Sequence, residues 1–409
     1  MTIKVALVGL SARGSTGWAG NAHLPYLLSE RGRTNYQIVA LVNSSIDAAQ
    51  TAIAHYNLPA DTVQAYGDPD ALAADIVSGK MEVNLVSVAT RVDVHYPVAL
   101  PILKAVAASQ KKPSNFGMFV EWPLASNARD ALELASFTGP STGIRSIVAL
   151  QGRIAPVYRA IENLIASGKL GRILSSDASG YGGLQSRDSA PDHLSYFTDR
   201  SLGGNLITIA LGHLIDPIQT TLGELKDTKT QTQIQRPNIQ LLHRNDDGSS
   251  AVVKTVTSDV PDLITIMGRL APRPGVTGSE NFSDGSASFQ IRLRLGPAFP
   301  GEPAYVWKIA GEKGELRLVS PSGPYIQAFA GGGDNTGATA ITLSLHDYET
   351  NKVTEVPWQW QGWQNQQAAV PARNIGALYE AYAEGREADY ASFADAVARH
   401  EQLEHWIEQ

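Results

Sequence analysis

The chain predicts an α/β domain built on a parallel sheet, followed by an α+β domain with a large, mostly antiparallel sheet. Up to about residue 150, short β-branched runs alternate with helix-compatible stretches, as in successive βαβ units. Beyond that point, apolar and polar residues alternate along short segments set off by Gly, Pro, Asn and Asp clusters, as in a sheet with one covered face. With 409 residues, 43% of them hydrophobic and 18% charged, the chain is long enough to bury two cores.

The runs of the first part cover 5–10, 37–42, 83–89, 117–120 and 144–150. Between them, 47–56, 70–79, 96–108 and 127–137 can each place alanine and leucine on one helical face. Residues 1–150 are therefore expected to form one nucleotide-binding domain. After Gln151 the pattern predicts a helix over 156–166 and strands over 171–178, 286–295, 305–309, 314–318, 340–346 and 352–356. These belong to a second domain over 151–373, with exposed hairpins or loops at 245–250 and 331–337. The tail, 374–409, is helical in pattern, is broken near Gly385, and is expected to fold back against the first domain.

The first strand carries the strongest functional signal. Its apolar run breaks into Gly9-Leu10-Ser11-Ala12-Arg13-Gly14-Ser15-Thr16-Gly17, and a helix-compatible stretch opens at Trp18. A buried strand ending at glycine, with backbone N–H groups opening the next helix, is how a dinucleotide-binding unit surrounds a pyrophosphate. Read from Gly9, the fingerprint G-x-G-x-x-G has Ser11 at its middle glycine, so the serine must displace the phosphates or donate its hydroxyl. Gly9, Ser11, Arg13, Gly14, Ser15, Thr16 and Trp18 are the expected residues of this turn; the bland alternative is an ordinary strand-to-helix turn. The second strand ends at Asn43 and Ser44, without the carboxylate that would repel a 2′-phosphate. Asn43, Ser44 and Arg13 can all donate to such a phosphate, so NADP is favoured and NAD is the alternative.

A net charge of −7 without a lysine- or arginine-rich run argues against direct nucleic-acid binding. No cysteine is present, which removes disulfides, thiol catalysis and thiolate metal sites, and no metal cage is expected from the spacing of the remaining ligands. No apolar stretch is long enough to cross a bilayer and no signal peptide is read, so no membrane association is expected and the location is read as cytoplasmic.

Further motifs follow in order. They are Val88-Ala89-Thr90-Arg91 with His95, Glu121-Trp122-Pro123, and Gln151-Gly152-Arg153 before a helix ending Ser167-Gly168-Lys169-Leu170-Gly171. Gly203-Gly204, His213-Leu214-Ile215-Asp216 and Gly311-Glu312-Lys313-Gly314-Glu315-Leu316 complete the set. In that order the chain resembles, nearly end to end, the glucose-fructose oxidoreductase and inositol dehydrogenase (Gfo/Idh/MocA) family of nicotinamide-dependent proteins. The stretches around Gly9, Glu121 and Gln151 look most like a branch that includes the galactose-pathway co-repressor of yeasts and fungal oxidoreductase-like chains.

The resemblance implies roles and two departures. The family's enzymes carry a lysine in Glu-Lys-Pro to steer the proton that accompanies hydride transfer. Here that position is Trp122, which has no titratable proton, although its indole can stack on a nicotinamide or simply pack beneath it. The family's aspartate four residues before the histidine corresponds to Ile209, leaving His213 as the candidate acid or base, against the reading of a core histidine. Tyr181 is a second candidate donor, as are Asp192, His193 and Tyr196, each of which is more simply a surface or packing residue. Thr90, Arg91, His95, Glu121, Trp122 and Arg153 are expected on the cofactor side, Arg153 alternatively at the domain junction.

Two functions lead, ahead of a third, a cofactor-assisted lyase or cyclase. One is an oxidoreductase passing hydride between NADP(H) and a polyol, sugar-like or other carbonyl substrate held in the interdomain cleft. The other is a catalytically inactive, dinucleotide-bound co-regulator that acts through a protein partner and works in the nucleus. By analogy with the family, the open face of the second sheet is expected to form a homodimer.

Overall fold

The computed structural model describes residues 2–12, 17–110, 113–182, 186–245, 247–328, 340–367 and 369–408. Two units emerge. The first comprises Met1–Gln151, Ser201–Gly204 and Gln366–Glu401; the second comprises Gly152–Arg200, Asn205–Asn365 and Gln402–Gln409.

The first unit is built on six parallel strands, β1 (Ile3–Val8), β2 (Tyr36–Val42), β3 (Gln64–Tyr66), β4 (Leu85–Val88), β5 (Gly117–Val120) and β6 (Arg145–Val148). Their spatial order is β3-β2-β1-β4-β5-β6. The order reverses between β1 and β4, and open α/β sheets bind ligands outside the carboxyl ends of their strands at such a reversal. Val5, Ala6, Leu7 and all of β4 and β5 are buried, which is why these strands read as continuous apolar runs.

The helices of this half are α1 (Leu24–Leu28), α2 (Glu30–Asn35), α3 (Ile46–His55), α4 (Pro69–Ser78), α5 (Val92–Ala108) and α6 (Ala128–Ser136). Side chains define several starts. Ser45, Asp68 and Asn127 accept from backbone N–H groups of α3, α4 and α6, and Pro69 stands in the first turn of α4 where no donor is needed. Between the glycine turn and α1 lies one wide π-helical turn, Ala19–His23.

The second unit opens with α7 (Pro156–Ala166), β7 (Ile173–Tyr181), β8 (Ser189–Pro191) and α8 (Gly212–Leu222). It continues through β9 (Leu225–Gln233), β10 (Asn238–Arg244), β11 (Ser250–Thr257), β12 (Leu263–Leu270), β13 (Ser288–Arg294), β14 (Tyr305–Gly311), β15 (Gly314–Ser320), β16 (Thr342–Asp347) and β17 (Lys352–Glu355). Eight strands form one sheet in the order β17-β16-β15-β14-β7-β13-β12-β9, antiparallel except for the β7–β13 pair. Phe289, Ile291, Leu293, Tyr305, Trp307, Ile309, Leu316, Leu318 and Leu343 fill its covered face, each contributing roughly 1.5–3 kcal/mol by leaving water. The other face carries Leu174 and Met267 exposed among polar residues.

A second sheet of three strands, β11-β10-β8, closes over Ala190, Ile239 and Leu241. The sequence reading placed no strands between 225 and 270. β9 shows why: Lys-Asp-Thr-Lys-Thr-Gln-Thr-Gln offers almost no apolar alternation, so it is recruited by pairing with β12 rather than by its own pattern.

After α9 (Gly362–Asn365) the chain continues through α10 (Pro371–Ala383) and α11 (Phe393–Glu408), with Gly385 at a positive φ between them. Within the first unit, Ala391 pairs with Val148 and Tyr379 of α10 packs among Tyr26, Tyr36 and Phe119. Within the second, Trp406 donates to Thr228.

Candidate functional site at the carboxyl edge of the parallel sheet

Gly9 leaves β1 at φ +91°, a conformation open to glycine but strained for other residues. A side chain there is doubly excluded, because a Cβ would lie 2.6 Å from Thr90 Cγ2 and 2.8 Å from the Ala89 carbonyl. The turn after β1 is thus pressed against the end of β4, while the Gly9 N–H is held by the Val42 carbonyl at the end of β2. Ser11 is exposed and its carbonyl accepts from the Tyr56 hydroxyl. Trp18 is half-buried just before the π turn. Arg13, Gly14, Ser15 and Thr16 lie outside the described residues.

The end of β2 meets the glycine turn. The Asn43 amide donates one N–H to the Leu10 carbonyl at 2.8 Å, which braces that turn. Ser45 caps α3, and Ser44 is exposed. No carboxylate ends the strand.

Thr90 and Arg91 follow β4. Arg91 forms a two-pronged ion pair with Asp93 in the first turn of α5, at 2.6 Å for each contact, which turns its guanidinium along the helix surface. His95 is buried, with Nδ1 2.8 Å from the Pro123 carbonyl and Nε2 3.0 Å from the Thr90 carbonyl. It therefore ties the segment after β4 to the segment after β5. Burial pulls its pKa below the usual histidine value, against the opposing effect of the two carbonyls.

Trp122, joined to Pro123 by a cis peptide, is only 4% exposed. Its indole packs on the His400 ring of α11, with centroids 4.7 Å apart. His400 is buried as well. Desolvation first, and then the charge of His95, lower its pKa to about 3, so at neutral pH the indole rests on an uncharged imidazole. A tryptophan in this position packs inside the first unit.

Beneath that edge runs a buried polar chain that the sequence reading did not foresee. Glu121, the last residue before Trp122, lies 2.7 Å from His23 Nε2. His23 Nδ1 lies 2.8 Å from the Tyr379 hydroxyl, which lies 2.8 Å from Ser87 Oγ in β4. All four residues are buried. Next to them, Glu380 receives the Tyr26 hydroxyl and a two-pronged contact from Arg31, so α10 is bound to the helices that follow the glycine turn.

In the second unit, half-buried Arg153 and buried Asp216 form a two-pronged ion pair, both contacts at 2.9 Å. Arg153, expected on the cofactor or at the domain junction, donates to Asp216 through Nε and Nη2. Close approach supports the pair, since a Cβ on Gly152 would lie 2.6 Å from the Pro217 ring. The motifs Gln151-Gly152-Arg153 and His213-Leu214-Ile215-Asp216 are therefore two sides of one packing unit. His213 is 8% exposed near the start of α8, which follows a π-helical stretch, Leu206–Leu211, containing Ile209. Tyr181 ends β7 half-buried, with the Arg294 guanidinium 4.8 Å above its ring. Asp192 holds His243 Nδ1 at 2.7 Å, which together with His193 lowers the Asp192 pKa, and Tyr196 packs on Phe197. Among the described residues, no group of three or more His, Asp or Glu is arranged to hold a metal ion, and no helix is long and apolar enough to cross a membrane.

Comparison with known proteins agrees with this architecture. Residues 3–138 match the oxidoreductase family with an NAD-binding Rossmann fold, and residues 156–320 match the C-terminal domain of Gal80p. The dehydrogenase aclE of Aspergillus oryzae is 29% identical over 322 residues, covering 78% of this chain and 77% of that protein. The galactose/lactose metabolism regulatory protein GAL80 of Saccharomyces cerevisiae is 27% identical over 322 residues, covering 78% and 67%. Among solved structures, a super-repressor mutant of Gal80p from S. cerevisiae superposes with a TM-score of 0.79 at 21% identity, over 100% of this chain and 95% of that one. Levoglucosan dehydrogenase in complex with NADH and levoglucosan gives 0.68 at 16% identity, over 100% and 96%.

Proposed function

We propose, from the premise that this chain belongs to the NAD-binding oxidoreductase family and carries a Gal80p-type C-terminal domain, that it is a nicotinamide-dependent oxidoreductase with an atypical proton-transfer site. The observation that carries the reading is the turn at Gly9. It is a positive-φ glycine pressed against β4, located where the strand order reverses, and backbone without side chains is what a diphosphate needs at that point.

When bound, the nicotinamide supplies the hydride-accepting ring. This chain's residues hold and orient it. Gly9 and Ser11 border the diphosphate with Arg13, Gly14, Ser15, Thr16 and Trp18, while Ser44 and the absence of a carboxylate after β2 favour NADP over NAD. Thr90, His95 and Glu121 shape the nicotinamide side, and Trp122 supplies an apolar wall. With Trp122 in place of a lysine, proton transfer falls to His213, with Tyr181 the second candidate. Loss of one acid/base group typically costs about 10²–10⁴ in rate, so a polyol or sugar-like alcohol that needs little assistance is the fitting substrate class. A homodimer through the open face of the eight-stranded sheet and a cytoplasmic location complete this reading.

A second reading has a specific observation in its favour. Trp122 is buried on an uncharged His400, and Ile209 stands where the family carries its aspartate. Both changes remove catalytic function and keep the fold, as a dinucleotide-bound co-regulator with a protein partner and a nuclear role would require. Purified protein incubated with NADP⁺ or NAD⁺ and a panel of polyols and glycosides, with absorbance of the reduced nicotinamide followed, separates the two. Turnover supports the oxidoreductase. Tight dinucleotide binding without turnover on any substrate supports the regulator.

A further inference from the structure

We propose that Ser87, Tyr379 and His23 are positioning residues that act through Glu121, coupling α10 to the coenzyme edge of the sheet. This rests on the assignment of Glu121 to the coenzyme side made under Proposed function. Hydrogen-bond chemistry directs the chain. Burial and then the charge of Glu121 raise the Tyr379 pKa, against the Ser87 hydrogen bond, so its hydroxyl keeps the proton and must donate it. With a single proton on the His23 ring, Nδ1 accepts either from Tyr379 at 2.8 Å or from Ser87 Oγ at 3.3 Å, and in both cases Nε2–H faces the Glu121 carboxylate at 2.7 Å. The route with the shorter contacts is the following. Ser87 Oγ–H donates to Tyr379, Tyr379 O–H donates to His23 Nδ1, and His23 Nε2–H donates to Glu121 Oε1.

Every donor in this chain thus points toward Glu121, and each bond polarises the next. Oε1 is committed to His23, while Oε2 accepts no hydrogen bond among the described residues. The chain holds the carboxylate by one oxygen and leaves the other to a donor on the ligand, such as a hydroxyl. Three separate elements meet here. Ser87 lies in β4, His23 in the π turn behind the glycine loop, and Tyr379 in α10, so the C-terminal segment reports directly on the residue before Trp122.

The test uses the full chain with Tyr379→Phe, Ser87→Ala and Glu121→Gln, all small changes to a packed core. First, ¹⁵N-histidine spectra of the coenzyme-free protein should show the His23 proton on Nε2 in the wild type, and the unprotonated Nδ1 resonance shifted in Tyr379→Phe through loss of its donor. A purely structural tyrosine would leave that resonance unchanged. Second, Tyr379→Phe should weaken NADP⁺ binding by about five- to tenfold, the effect of one lost hydrogen bond. In the Glu121→Gln background the same substitution should cause no further loss. A wild-type His23 proton on Nδ1, an unchanged Nδ1 resonance or wild-type affinity in Tyr379→Phe, or an undiminished loss in the Glu121→Gln background would each overturn the proposal. If the wild type binds neither coenzyme, the reading under Proposed function fails by itself, and the tautomer measurement decides the direction of the chain.

Discussion

Replacing His400 should flatten the acid limb of the stability profile. His400 has its pKa lowered from 6.5 to about 3 by burial and by the nearby His95, so the folded protein excludes a proton that the unfolded chain binds. The sign follows from linkage: a histidine depressed in the fold costs stability as pH falls below its unfolded value, and the cost stops growing only below the folded value. At about pH 5 the charge on unfolded His400 favours unfolding by about 2 kcal/mol relative to neutral pH. Carboxylates with lowered pKa values, among them Asp75, Glu133 and Asp192, act in a lower window, because their stabilisation is lost only as pH falls below the ordinary carboxylate range. His400→Phe keeps an aromatic ring against Trp122 and removes the titration. Urea unfolding followed by circular dichroism at about pH 7, 6 and 5 should show the wild type losing about 2 kcal/mol more than the variant over that range. Parallel profiles would refute the buried, neutral His400, as would a His400 proton resonance titrating near pH 6.

Asp216→Ala leaves the half-buried Arg153 guanidinium without its carboxylate and should cost about 3 kcal/mol in unfolding free energy, whereas replacing both partners with leucine and methionine should cost much less. Gly9→Ala forces a Cβ into Thr90 at a positive φ, and should lower stability by about 2 kcal/mol with a loss of coenzyme binding, read by melting temperature and titration calorimetry. Trp122→Lys buries an amine on His400; an increase in turnover with polyols would support the oxidoreductase reading, while unchanged activity with lower stability would support the co-regulator.

The architecture was legible because its signals are local. A strand buried on both faces must be a continuous apolar run, as in β1, β4 and β5, and the alternation in β13, β14 and β15 marks a sheet with one covered face. β9 was not legible, since its polar and threonine-rich sequence depends on its neighbour β12 for pairing. At the site, the glycine turn announced itself through spacing, but the uses of Asn43, Arg91 and Arg153 did not. The partner of Arg91, Asp93, stands two residues along the chain, whereas Asn43 and Arg153 have neighbours that only the fold supplies, the Leu10 carbonyl and Asp216. His23, Tyr379 and His400 escaped for the same reason. They meet Glu121 and Trp122 across separations of up to a few hundred residues, and no local pattern distinguishes them from ordinary core residues.

Titration calorimetry of the pure protein with NADP⁺ and NAD⁺ is the most direct test of the central claim. Saturable binding of one dinucleotide per chain, tighter for NADP⁺ and abolished by Gly9→Ala, is the expected result. The absence of heat with both coenzymes would contradict it.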